Sequence, residues 1–165
     1  MAPVSIESTI NERPLIDRRQ SPTALTVARG TARLLRAMGF VCIPEMPLTS
    51  GRRAALVALG PAGDFWIVEV KSSVADLRAD RKWPDYRWHC DRLYFATTLD
   101  VPAELFPADA GLIVADGYGA QIVREADEHR LAGATRRSMT LRFGRMAAAR
   151  LHALADPACA ADMDL

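Results

Sequence analysis

Glu69-Val70-Lys71 ends an apolar run, "FWIVEVKS" at 65–72, and is the part of this sequence best suited to chemistry. In a strand, residues two apart share a face. Glu69 and Lys71 therefore project together, and Val68 and Val70 point the other way with Trp66. A charged pair on so apolar a strand is costly unless it is ion-paired, metal-bound or at an open edge. The carboxylate can hold Mg²⁺ through oxygen, and the lysine can orient or deprotonate water or stabilise a phosphorane. One carboxylate is seldom enough. The usual arrangement adds an aspartate from the neighbouring strand, so that two carboxylates grip one hard cation.

Hairpin register says where that aspartate belongs. The run "AALVAL" (54–59) precedes the Glu69 strand, and "GPAG" at 60–63 signals a turn between them. If position 55 lies opposite Glu69, the connecting loop has an odd number of residues and the two side chains share a face about 5 Å apart; an even loop puts position 55 on the other face, and the turn residues allow either. Position 55 is alanine.

The elements that would position these residues can be read along the chain. Residues 1–20 have no period and are expected to form a loose arm, with a solvated "DRRQ" at its end. Ser21 as cap, Pro22 at the first helical position and Gly39 after the end bound a first helix. Its expected buried stripe is Leu25, Ala28, Ala32, Leu35 and Met38. Three strands follow: "FVCIPEMPL" (40–48), 54–59 and 65–72. A helix is expected after Ser73, with Ser73 and Asp76 at capping-box spacing. Pro84 interrupts it, and a shorter helix resumes over "PDYRWHC". Strands are expected at "RLYFAT" (92–97), "AGLIVAD" (110–116) and "AQIVRE", then a helix from Thr135 to Ala155 with Met139, Phe143, Met146, Ala147, Leu151 and Leu154 at helical spacing. Hairpin-linked early strands and helix-linked later ones predict one α/β domain over 21–155, a mixed β-sheet flanked by helices, with 156–165 frayed.

The stretch from Gly51 to Thr97 resembles the MmcB family of bacterial DNA repair proteins, in the PD-(D/E)XK nuclease-like superfamily, and the resemblance extends over roughly residues 22–155. "EVKSS", "DRKWPDY" and "HCDRLYFA" carry it in kind and order. It implies a restriction-endonuclease-like fold, DNA as substrate, and Mg²⁺ or Mn²⁺ as cofactor. Family members read "GRRADL" where this chain reads Gly51-Arg52-Arg53-Ala54-Ala55-Leu56, so Ala55 stands where the metal-binding Asp is expected, with Glu69 and Lys71 matching the rest of the motif. A site with one carboxylate is expected to hold a divalent ion poorly, leaving the chain inactive or impaired. Such a change is the pattern of a deliberately disabled site or of a naturally inactive homologue. The alternative is a non-catalytic module on the same frame that binds DNA or a repair partner.

Other residues add to the candidate site. Glu45, between two prolines at the end of the first strand, can reach the same metal. Arg52, Arg53, Arg81 and Lys82 are candidate phosphate contacts, and Trp83 and Tyr86 candidate base-stacking rings; Trp83 also suits a packed, structural role. The arginines of the last helix suit either a nucleic-acid groove or a solvated face. His89 and Cys90 are adjacent, point about 100° apart on a helix and make a poor nucleophile pair.

Composition limits the rest. Half the residues are apolar, 25% are charged and the formal net charge is +1, so a basic surface must come from local clustering. Three scattered cysteines without a C-x-x-C pair argue against zinc and a disulfide framework and for free thiols in a reducing cytoplasm. No run reaches the roughly 20 apolar residues of a membrane span, and the N-terminus lacks a signal-peptide core. No P-loop or G-x-G-x-x-G is present. The expected partners are thus DNA (single-stranded, branched or damaged) and other repair proteins, with no membrane and with homodimerisation left open.

Overall fold

The computed structural model describes residues 20–158. The expected arm at 1–20, apart from Gln20, and most of the expected frayed end at 156–165 lie outside it. The elements run α1 (Pro22–Ala37), β1 (Val41–Pro47), β2 (Arg53–Leu59), β3 (Phe65–Val70), α2 (Val74–Ala79), a 3-10 helix η1 (Trp83–His89), β4 (Arg92–Thr97), a 3-10 turn (Ala103–Leu105), β5 (Gly111–Ala115), β6 (Ala120–Arg124) and α3 (Gly133–Ala155).

The strands form one sheet in sequence order. β1, β2 and β3 are antiparallel neighbours, as short turns require; β3–β4 and β4–β5 are parallel; β5–β6 is antiparallel. Both parallel steps need crossovers: α2 and η1 supply the one from β3 to β4, and the segment with the 3-10 turn Ala103–Leu105 supplies the one from β4 to β5. The fold is the expected α/β arrangement, a mixed sheet flanked by helices.

Two cores lie on the two faces of the sheet. α1 covers Leu56, Ala58, Trp66, Val68, Tyr94 and Ile113 with Val27 and Leu35. α3 and η1 cover Ile43, Val57, Phe65, Ile67 and Leu93 with Met139, Phe143 and Tyr86. A third cluster, around Phe95, Phe106 and Leu77, sits under the crossovers.

α1 forms where expected, with Ser21 Oγ accepting from Ala24 N–H at 3.1 Å. Its buried stripe differs from the expected one. Val27, Gly30, Thr31 and Leu35 are buried, and Met38 is 41% exposed. The reason is Gly30, where a Cβ would stand 2.1 Å from Asp116 O and 2.5 Å from Gly119 O. The bare glycine lets the helix backbone sit against the β5–β6 turn, which rolls the helix away from the stripe that periodicity alone suggests. α3 departs in its second half. Met139 and Phe143 are buried, but Leu151 and Leu154 are 67% and 53% exposed, because the last turns extend beyond the sheet core.

Candidate functional site

The β2–β3 ladder pairs Leu56 with Val68 and Leu59 with Phe65 across a five-residue loop at 60–64. One step further along the same register, Ala55 faces Glu69, so the loop is the odd one of the two alternatives that the turn residues allow. The β1–β2 ladder pairs Pro44 with Leu56 and Met46 with Ala54, which sets Glu45 opposite Ala55. Glu45, Ala55 and Glu69 therefore stand in a row across three adjacent strands.

Alternation slips at this row. Ile43 and Met46, three apart on β1, both face the α3 core, as do Ala54 and Val57 on β2. Regular pleating forbids that. Glu45 absorbs the slip on β1 with φ of 49°, a left-handed conformation that costs a non-glycine residue energy. Arg150 from α3 holds the bent backbone. Its guanidinium donates to Glu45 O at 2.9 Å and to Pro44 O.

Glu69 is 6% exposed, and its Oε1 accepts the Ala55 N–H at 3.0 Å. Burial raises its pKa to about 8, against the lowering pull of the Ala55 amide and the Lys71 charge; Asp80 and Glu45 add to the rise. Lys71 is also 6% exposed, and its Nζ lies 2.6 Å from Asp80 Oδ2. Burial pushes the Asp80 carboxyl up, but the Lys71 ammonium outweighs it and holds the group below the usual carboxylate range.

A cleft of about 350 Å³ opens onto Glu69, lined also by Glu45, Arg53, Ala55, Ser21 and Asp76. Lys71 is absent from that lining because it turns to Asp80. Asp76 was read in the sequence only as a cap. Its amide does reach Ser73 Oγ, at 3.1 Å, but its carboxylate accepts from Ser72 N–H at 3.1 Å in place of the expected Ser73 amide.

The donor set as it stands does not suit a divalent cation. Glu45 is met by Arg53 Nε at 3.3 Å and by the Gln20 side-chain amide, and Glu69 Oε1 takes the Ala55 amide at 3.0 Å. Among the described residues no three His, Cys, Asp or Glu side chains converge to hold a metal.

The remaining sequence candidates divide by exposure. Arg53, Arg81 and Lys82 are exposed. Arg52 is half-buried and makes two hydrogen bonds to Asp85 Oδ2, at 3.2 and 3.0 Å. Trp83 packs edge-on against Phe95 at 5.6 Å, with Arg87 5.2 Å above its ring. Tyr86 is buried and its hydroxyl donates to Arg53 O at 3.1 Å; burial raises its pKa well beyond the ordinary value. Both rings pack against the core clusters.

Sequence reasoning missed a second buried charge. Asp91, 2% exposed, accepts from Phe65 N–H at 2.7 Å, Leu131 N–H at 2.9 Å and the Arg136 guanidinium at 2.7 and 2.9 Å, tying β3, the 126–132 loop and α3 together.

A family profile described as "DNA repair protein MmcB-like" matches residues 11–158. The chain belongs to the MmcB-like DNA repair family. A solved structure described as the SPO1766 protein of unknown function from Silicibacter pomeroyi superposes with a TM-score of 0.79 at 47% identity, covering 84% of this chain and 94% of that one. No curated protein matches. Among the described residues no helix is long and apolar enough to cross a membrane.

Proposed function

We propose that this chain serves DNA repair by holding DNA on a PD-(D/E)XK nuclease-like frame whose metal-dependent hydrolytic centre is disabled at Ala55. The observation that carries this reading is the row Glu45–Ala55–Glu69, with the Ala55 amide bonded to Glu69 Oε1 at 3.0 Å. The backbone places position 55 between two carboxylates, and the side chain there has no oxygen. An aspartate would add a hard donor beside Glu69 and give Mg²⁺ or Mn²⁺ a place to bind. As the chain stands, Arg53, Arg81 and Lys82 near the motif can still meet phosphates without any metal.

The test is Ala55→Asp beside the unchanged chain. Both are incubated with Mg²⁺ or Mn²⁺ and single-stranded, duplex, branched, abasic and crosslinked DNAs. Binding is followed separately, without metal, over a range of salt. The unchanged chain should bind without cutting and the variant should cut. In the salt titration, Arg81→Ala or Lys82→Ala should each lower the log–log slope by about 1. Binding by both proteins with cutting by neither would leave a binding module alone. Loss of DNA binding altogether would end the reading.

A further inference from the structure

η1 is a 3-10 helix, so residues three apart align. Trp83, Tyr86 and His89 form its inward stripe; Tyr86 and His89 are buried and Trp83 half-buried. Trp88 shares the outer stripe with Asp85 and is 77% exposed. No packing role accounts for so large a ring in water.

Trp88 borders a cleft of about 770 Å³ that also takes in Arg87, His129, Arg130, Ala132 and Thr135, and no carboxylate lines it. Arg87 forms its fixed wall. The guanidinium lies 2.8 Å from Asp109 Oδ2 and donates to His129 Nε2 at 2.7 Å, which requires that nitrogen to be unprotonated. Arg130 is exposed at the rim. Ala132 is the N-cap of α3, and no side chain caps that 23-residue helix. Its first turn, with Thr135, faces the same cleft. Helix N-termini with open N–H groups favour anions, and the first turn of α3 carries no acidic residue to compete.

We propose that this cleft takes one unpaired nucleotide of DNA, its base stacked on Trp88 and its phosphate at the N-terminus of α3 beside Arg130. A flat exposed ring beside a cation and an open helix N-terminus in one cleft match a nucleotide's base and phosphate. A base within a duplex cannot reach such a ring, so the cleft selects single-stranded, branched or damaged DNA. The inference rests on the DNA-binding reading above. It adds a recognition site on the far stripe of η1 from the core, distinct from the Glu69 cleft.

The experiment measures metal-free binding of a short thymidine oligonucleotide and of a duplex of equal length by the unchanged chain, Trp88→Ala, Trp88→Phe and Arg130→Ala. Because Trp88 is exposed and Trp66 and Trp83 are packed, tryptophan fluorescence should report contact directly. Trp88→Ala should weaken single-strand binding about tenfold, the contribution of one stacked base, and abolish the fluorescence change. Duplex affinity should be unchanged, Trp88→Phe should recover part of the loss, and Arg130→Ala should weaken single-strand binding. Single-strand affinity unaltered in Trp88→Ala would overturn the inference while leaving the DNA-binding reading intact; equal loss on duplex and single strand would overturn it too. Failure of the unchanged chain to bind either DNA would remove both.

Discussion

Lys71 Nζ and Asp80 Oδ2 are 2.6 Å apart, with side chains 7% and 19% exposed. The lysine of the E-x-K triplet is therefore held by a carboxylate at the end of α2, nine residues later, and not by Glu69. The pair joins the end of β3 to the crossover that follows it, and Lys82 N–H closes on Asp80 Oδ1 at 3.0 Å.

Asp80→Asn should leave a buried ammonium without its counter-charge and cost on the order of 3 kcal/mol in urea unfolding. Lys71→Met in the same chain should return part of that loss, because it removes the orphaned charge. The pH dependence follows from the direction of the Asp80 shift. A carboxyl held below its unfolded value of 3.8 stabilises the fold above that pH and ceases to do so as pH falls through the folded value. Acid unfolding below pH 3.8 should thus be less steep in Asp80→Asn. Identical acid profiles would mean the ion pair does not form in solution.

Glu69 should act in the opposite sense. Its folded pKa, about 8, lies above the ordinary 4.5, so the native state favours the protonated acid. That preference stabilises the fold fully below pH 4.5 and is lost as pH rises toward 8. Across this window each pH unit should cost the chain up to about 1.4 kcal/mol relative to Glu69→Gln, whose amide carries no titrating proton. Urea midpoints of the two proteins at the ends of the window measure the difference. A gap that does not change with pH would mean that Glu69 is charged throughout.

How far the sequence discloses this arrangement depends on whether the deciding contact is local. Strand periodicity says that only an odd β2–β3 loop brings position 55 opposite Glu69, but the turn residues allow an odd or an even loop, and the five-residue loop is what decides the register. The rule that a buried charge needs a partner foretells that Lys71 must be answered, but not that Asp80 answers it, because that depends on the path of the crossover. Asp91 lies between the helix expected over 84–90 and the strand expected over 92–97; its partners Leu131 and Arg136 are 40 and 45 residues away and no short-range pattern links them. The rolled face of α1 came from Gly30 meeting two carbonyl oxygens across the sheet, a steric fact absent from helical periodicity. Trp88 sits in a motif whose other rings face inward, and only the three-residue period of η1 separates it from them.

The bent backbone at Glu45 supplies a test in which two small side chains should differ in an unusual order. Both Glu45→Ala and Glu45→Gly remove the carboxylate and its contacts with Arg53 and the Gln20 amide, a loss common to the two variants. Only glycine also relieves the left-handed φ of 49°. In an ordinary strand glycine is the worse of the two, through its larger loss of backbone entropy. Here Glu45→Gly should be the more stable by about 1 kcal/mol. The melting temperature of Glu45→Gly should therefore lie above that of Glu45→Ala. If alanine proved equal to glycine, the strained conformation would not be a feature of the folded protein in solution. If the order holds, the chain keeps a strained residue where a relaxed one would be more stable, and the strained residue is the one that brings a second acidic side chain into the row with Ala55 and Glu69.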